Sequence, residues 1–153
     1  MAADFELRSG DSSQHDARRP PPARGPRSIT LTGVGAAAAA RRAAREFLAQ
    51  SPGVAPGLAD TVELVVSELV TNAIRHATGP CRLELAHVDR GVRVSVHDDA
   101  HTAPAPRGHG PLRVGGHGLE LVRALSADLV VTATATGKTV TAHIRAPDTP
   151  PPR

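Results

Sequence analysis

Residues Val62–Ala77 constrain the fold of this chain more than any other stretch, because apolar side chains recur there every three or four positions without a break. Leu58, Val62, Val65, Val66, Leu69, Val70, Ala73 and Ala77 form one stripe on a helix and imply a buried face. Glu68 and Asn72 are one helical turn apart, so they project from the same side, at the edge of that stripe. Polar residues in such a place are usually no more than the solvated flank of a helix. A carboxylate and a carboxamide so spaced also have the chemistry to hold a divalent cation, or to poise a water or hydroxyl beside the core. The rest of the chain decides between these readings.

Ser28–Thr32 alternates weakly, as a first strand does. Ala36–Gln50 is alanine-rich, carries Phe47 and Leu48, and predicts a helix ended by Ser51-Pro52-Gly53. The long helix opens at Gly57 or Asp60, and Thr78-Gly79-Pro80 stops it. Leu83–Val88 and Val92–His97 alternate in period two around Asp89-Arg90-Gly91, a hairpin signal. A third helix, Leu119–Leu125, follows Gly118, and Leu129–Thr134 with Thr139–Arg145 predicts a closing hairpin around Thr136-Gly137-Lys138. This order predicts an α+β fold. It is a two-layer α/β sandwich with a mixed, mostly antiparallel sheet and helices on one face.

The domain is expected to span residues 28–146. Residues 1–27 contain Pro20-Pro21-Pro22, scattered charges and few large apolar side chains. They cannot bury enough surface to offset ordering entropy, so a disordered tail is expected there and again over residues 147–153. Asp99–Val114 is rich in Pro, Gly and His with no hydrophobic period, and loops of that length are commonly functional.

A chain of 153 residues suits a single domain with one proper core. No apolar run approaches a membrane span, and the N-terminus lacks the hydrophobic region of a secretory signal. A lone cysteine, Cys81, excludes an internal disulfide and fits a reducing cytosol, so a cytoplasmic location is expected. Its ordinary role is that of a small buried hydrophobe. The net charge is +3, carried almost wholly by arginine, with Lys138 the only lysine. Phe5 and Phe47 are the only aromatic residues, which leaves no stacking platform for single-stranded nucleic acid and disfavours direct nucleic-acid binding.

Several tempting signatures fail on context. Gly33-Val34-Gly35 follows a strand, but a dinucleotide site needs a βαβ unit, and here the first helix leads to another helix. Gly137-Lys138-Thr139 echoes the end of a phosphate loop, yet a strand follows it where a helix should start, so it reads as a turn. His97, His101, His109 and His117 lack the spacing of a recognised zinc site.

Two further boxes have chemical content. Asp98 ends the Val92–His97 strand in Asp98-Asp99-Ala100. A strand-terminal Asp often makes a local turn bond, but it can equally accept a hydrogen bond from an exocyclic amine. Gly116-His117-Gly118 precedes the third helix, where glycines admit an anion to the backbone and helix N–H groups bind phosphate.

Glu68 to Asn72, Asp98-Asp99-Ala100 and the Gly116–Gly118 box occur in an order that resembles the GHKL ATP-binding fold. Gyrase, the heat-shock chaperones, histidine kinases and the mismatch-repair protein MutL share that fold. Within it, the chain is most similar to the small stand-alone anti-sigma-factor serine/threonine kinases. The resemblance covers about Ile29 to Ala146.

It implies ATP and Mg²⁺ as ligands, with Asn72 on the metal and Glu68 as the catalytic residue that orients or deprotonates the attacking hydroxyl. It implies that Asp98 receives the adenine amino group, that Gly116 and Gly118 seat the triphosphate, that Asp99–Val114 acts as a lid, and that Thr139 lies near the adenine. The implied partners are a small STAS-type anti-sigma-factor antagonist, which supplies a serine or threonine hydroxyl, and a sigma factor. No membrane partner is implied, and homodimers are common in the group. One departure is that the family's box reads Asp-x-Gly, whereas this chain has Ala100. A nucleotide-binding module that captures a partner without catalysis is the alternative. A detached histidine-kinase catalytic domain is a third reading, which requires the phosphoaccepting histidine on another chain.

Overall fold

Period-two alternation places Val92, Val94, Val96 and Asp98 on one side of a strand and Arg93, Ser95 and His97 on the other, and the burial pattern follows it residue by residue. The computed structural model describes residues 25–101 and 117–148. In chain order the elements are β1 (Arg27–Leu31), α1 (Ala36–Ala49), α2 (Pro56–His76), β2 (Cys81–Val88), β3 (Gly91–Asp98), α3 (His117–Leu125), β4 (Asp128–Thr134) and β5 (Gly137–Arg145). The five strands form one sheet in the order β1-β2-β3-β5-β4, and every neighbouring pair is antiparallel. The helices pack on one face of it, so the expected two-layer α+β sandwich is the fold observed. The described sheet is wholly antiparallel instead of mixed, because consecutive strands are joined by hairpins or return across the helical layer.

The core lies between that face and α2. Leu58, Val62, Val65, Val66, Leu69, Val70 and Ala73 are buried along α2, against Leu83, Leu85, Val94, Val96, Ala142 and Ile144 from the sheet. Each fully buried Val or Leu contributes about 1.5–3 kcal/mol relative to exposure, so this stripe dominates what holds the two layers together. Ala77, the last of the predicted stripe, caps the helix in an extended conformation instead of joining its buried face. Ala40 and Ala44 of α1 are fully buried, their small side chains letting α1 lie close to its neighbours. Arg45 to Glu63 and Arg41 to Ser67 then tie the two helices at their solvent edge.

The helix α2 starts at Pro56, slightly before the expected Gly57 or Asp60, because proline in a first turn forfeits no intrahelical bond. In the β2–β3 hairpin Val88 faces Gly91, and Arg90 rather than the glycine takes the left-handed conformation, with φ 58°. The chain passes from β1 to α1 and α2 before any second strand, so no βαβ unit follows Gly33.

Most of residues 1–27, the bulk of the Asp99–Val114 segment and residues 149–153 lie outside the described residues. Within the expected C-terminal tail, Asp148 pairs with Arg90 at an exposed 2.6 Å. Among the described residues no helix is long and apolar enough to cross a membrane.

Candidate functional site

Residues three, four and seven positions beyond Glu68 share its side of α2, away from the buried stripe. That side meets α3 to form a cavity of about 440 Å³, lined by Glu68, Thr71, Asn72 and Arg75 from α2 and by Gly118, Leu119 and Leu121 from α3. The volume falls within the usual range for small-molecule sites. Glu68 and Asn72 are partly buried and both line the cavity.

Gly118 explains how the two helices come so close. A Cβ added there would lie 2.5 Å from Glu68 Oε2, so glycine lets the first turn of α3 abut the carboxylate without displacing it. The cavity thus brings a carboxylate, a carboxamide, a hydroxyl and a guanidinium next to a helix N-terminus, where backbone N–H groups favour an anion. Thr71 and Arg75 are site residues that the sequence motifs do not single out, although the helical spacing that selects Glu68 and Asn72 also selects them.

Asp98 is differently placed. It is 1% exposed, off the lining of the cavity, on the core side of the end of β3. Both of its oxygens accept from Lys138 Nζ at 2.9 Å, and Oδ1 also accepts from the Ala100 backbone N–H at 2.9 Å. Lys138 is 3% exposed and stands directly opposite Asp98 in the β3–β5 register. Gly137, with φ 151°, makes that approach possible, since a Cβ there would collide with the Asp98 carbonyl oxygen.

Burial first, and then the negative charge of Asp98, push the nearby Cys81 thiol above its ordinary pKa, so it stays protonated and unreactive. The next residue after Asp98, Asp99, accepts from the Thr78 backbone N–H at 3.0 Å and from its hydroxyl at 2.9 Å. Those bonds hold the Asp99 carboxyl below the usual carboxylate range and pin the end of β3 beside the C-terminal end of α2.

The sequence singles out three boxes for one nucleotide site. Two of them, α2 and the glycine entry to α3, line the cavity, while the end of β3 turns its carboxylate onto a lysine. The expectation for Thr139 is corrected. It faces His97 across β3 and β5 and bonds to that ring at 3.1 Å, on the side of the sheet away from the helices. Strand alternation is the reason: Lys138 and Val140 point inward, so Thr139 points outward. Gly116 lies outside the described residues. Lys138, which the sequence assigns to a turn, is the residue that motif reading misses, and its signal is an inward strand position two before Val140.

Among solved structures, the chain resembles that of the RsbU and RsbW domains of Rv1364c from Mycobacterium tuberculosis, at 26% identity with a TM-score of 0.62. That match covers 80% of this chain and 33% of the other, so the chain spans about a third of the length of that protein's solved chain. The histidine kinase domain of the Erythrobacter litoralis EL346 blue-light activated histidine kinase matches at 25% identity and a TM-score of 0.48, over 72% of this chain and 60% of that one. No curated protein sequence matches the chain. The family model described as the histidine kinase-like ATPase domain matches residues 32–144, nearly the whole folded unit, and the chain therefore belongs to that family of ATPase domains.

Proposed function

We propose that the chain is an ATP-binding regulatory protein that transfers the γ-phosphoryl group of ATP to a serine or threonine of a small antagonist protein and sequesters a sigma factor. The observation that carries the proposal is the convergence of Glu68, Asn72 and the Gly118 turn on one cavity, in a chain of this family. Similarity to a protein with an RsbW domain supports the anti-sigma type over a detached histidine-kinase domain.

The residues fit Mg²⁺. That ion keeps several waters and takes one or two protein ligands together with phosphate oxygens, and Asn72 on an open cavity, one turn from a carboxylate, meets the requirement. Bound there, Mg²⁺ supplies charge neutralisation for the triphosphate.

The chain's own groups do the rest. The first turn of α3 holds phosphate oxygens through backbone N–H groups at Gly118, with Gly116 assigned the same role from the sequence. Arg75 lines the same cavity and offers a second positive contact. Glu68 accepts the proton of the incoming hydroxyl as its oxygen bonds to the γ-phosphorus and the bond to the bridging oxygen breaks, releasing ADP. Phosphoryl transfer depends mainly on positioning and charge, so this set of groups suffices. Adenine is read at Asp98.

The test is transfer of labelled γ-phosphate from ATP to candidate antagonist proteins that co-purify with the chain. Labelled antagonist is expected with the wild type and at least about a hundredfold less with Glu68→Ala. ATP binding without any labelled partner would sink the kinase reading and favour a non-catalytic capture module, a reading to which Ala100 and the Lys138-bound Asp98 lend support.

A further inference from the structure

The Asp98–Lys138 pair is a buried charged contact that the phosphoryl-transfer chemistry does not use. Resting on the nucleotide reading above, we infer that Lys138 is a specificity-determining residue that removes the site's discrimination between 6-amino and 6-oxo purines. The geometry is that of a donor and an acceptor held side by side. An ionised carboxylate has about four lone-pair sites and no donor. Three of those on Asp98 are taken, two by Lys138 Nζ and one by the Ala100 N–H, which among the described residues leaves one acceptor on Oδ2. The ammonium of Lys138 has three N–H donors, and two of them go to Asp98, which leaves one among the described residues.

A bare carboxylate accepts from a 6-amino group and repels a 6-carbonyl, which gives strong selection for adenine. The pair seen here presents one acceptor and one donor instead. A 6-amino purine donates its amino group to Oδ2 and accepts from Nζ at ring N1, whereas a 6-oxo purine accepts from Nζ and donates its ring N–H to Oδ2, so either base matches both groups. Selectivity of this kind arises when the wrong ligand strands a buried polar group, and here neither does. The arrangement is built in by the fold: Gly137 brings the start of β5 onto the Asp98 backbone, and register places Lys138 opposite the carboxylate.

The experiment is titration calorimetry of the full chain at pH 8 with Mg²⁺, using ATP and inosine triphosphate, which differ at position 6 and in the ring N–H beside it. The wild type is expected to bind the two within about tenfold of each other, and Lys138→Met is expected to raise the preference for ATP by at least about tenfold. Lys138→Arg, which keeps a charged donor, is expected to retain the wild-type ratio. A wild-type preference for ATP above about tenfold, or an unchanged ratio in a folded Lys138→Met protein, overturns the inference and makes the pair purely structural. Should Lys138→Met not fold, the wild-type ratio decides alone. Strong, selective ATP binding would leave the proposed function standing and remove only this inference, whereas binding of neither nucleotide would remove both.

Discussion

Glu68 and Asp98 are both carboxylates singled out by sequence, and the fold treats them oppositely. Glu68 stands at the edge of a helix stripe, partly buried, and lines an open cavity. Asp98 occupies an inward strand position between the sheet and the helices, 1% exposed, held by a lysine and a backbone N–H. A helix edge leaves the end of a long side chain in solvent whatever its base touches. An inward strand position has no such exit, so a charge there needs an internal partner. The lesson is that one carboxylate stands beside an open cavity while the other is held in a buried pair, and that the element carrying it decides which.

The largest effect that would break this contrast is on stability. Lys138→Met leaves Asp98 as a buried, unpaired charge and is expected to cost about 3–5 kcal/mol in denaturant unfolding. Asn72→Ala, at the edge of the cavity, is expected to change stability by no more than about 0.5 kcal/mol. Equal losses in the two variants would erase the distinction between the two regions.

The next effects are functional. Asn72→Ala is expected to abolish Mg²⁺-dependent ATP binding, and unchanged affinity by calorimetry would refute the metal assignment. Glu68→Ala is expected to keep ATP binding while phosphotransfer falls by about 10²–10⁴-fold, the usual contribution of a positioned base. Loss of binding in that variant would assign Glu68 a structural role.

A finer probe is Gly118→Ala. The added methyl meets only the far end of the flexible Glu68 side chain, so stability should hold while the carboxylate is displaced. Phosphotransfer is expected to drop by about a hundredfold, as a misplaced catalytic group does. An active variant with wild-type rates would show that the position of Glu68 against α3 does not matter.

The smallest effect expected is in acid. Hydrogen bonds from Thr78 lower the Asp99 carboxyl pKa in the folded protein, so its stabilising effect is complete above the unfolded value of about 3.9 and is lost as pH falls through the folded one. The difference in melting temperature between wild type and Asp99→Asn should therefore be present at neutral pH and shrink on acidification. A pH-independent difference would mean that the Thr78 bonds do not depend on the charge.

Elements with strong periodicity are legible in the amino-acid sequence alone. The stripe of α2 and the alternation of β2 and β3 identify the right partners and faces, because burial on one side is the force that makes each element form. Glu68 and Asn72 are legible for the same reason, since a helix converts sequence spacing directly into a shared side. The expectation for Thr139 fails because a motif position ignores the strand's period counted from Val140, which points Thr139 outward.

What the sequence determined by itself was local: which segments are helices or strands, which side of each is apolar, and which polar groups ride together on α2. Tertiary structure alone decided that Lys138 meets Asp98 and that Gly118 meets Glu68. These residues are 40 and 50 positions apart, and their contacts depend on strand register and helix approach. Periodicity propagates along one element, whereas register and close packing are settled only when two elements meet and the backbone permits the distance.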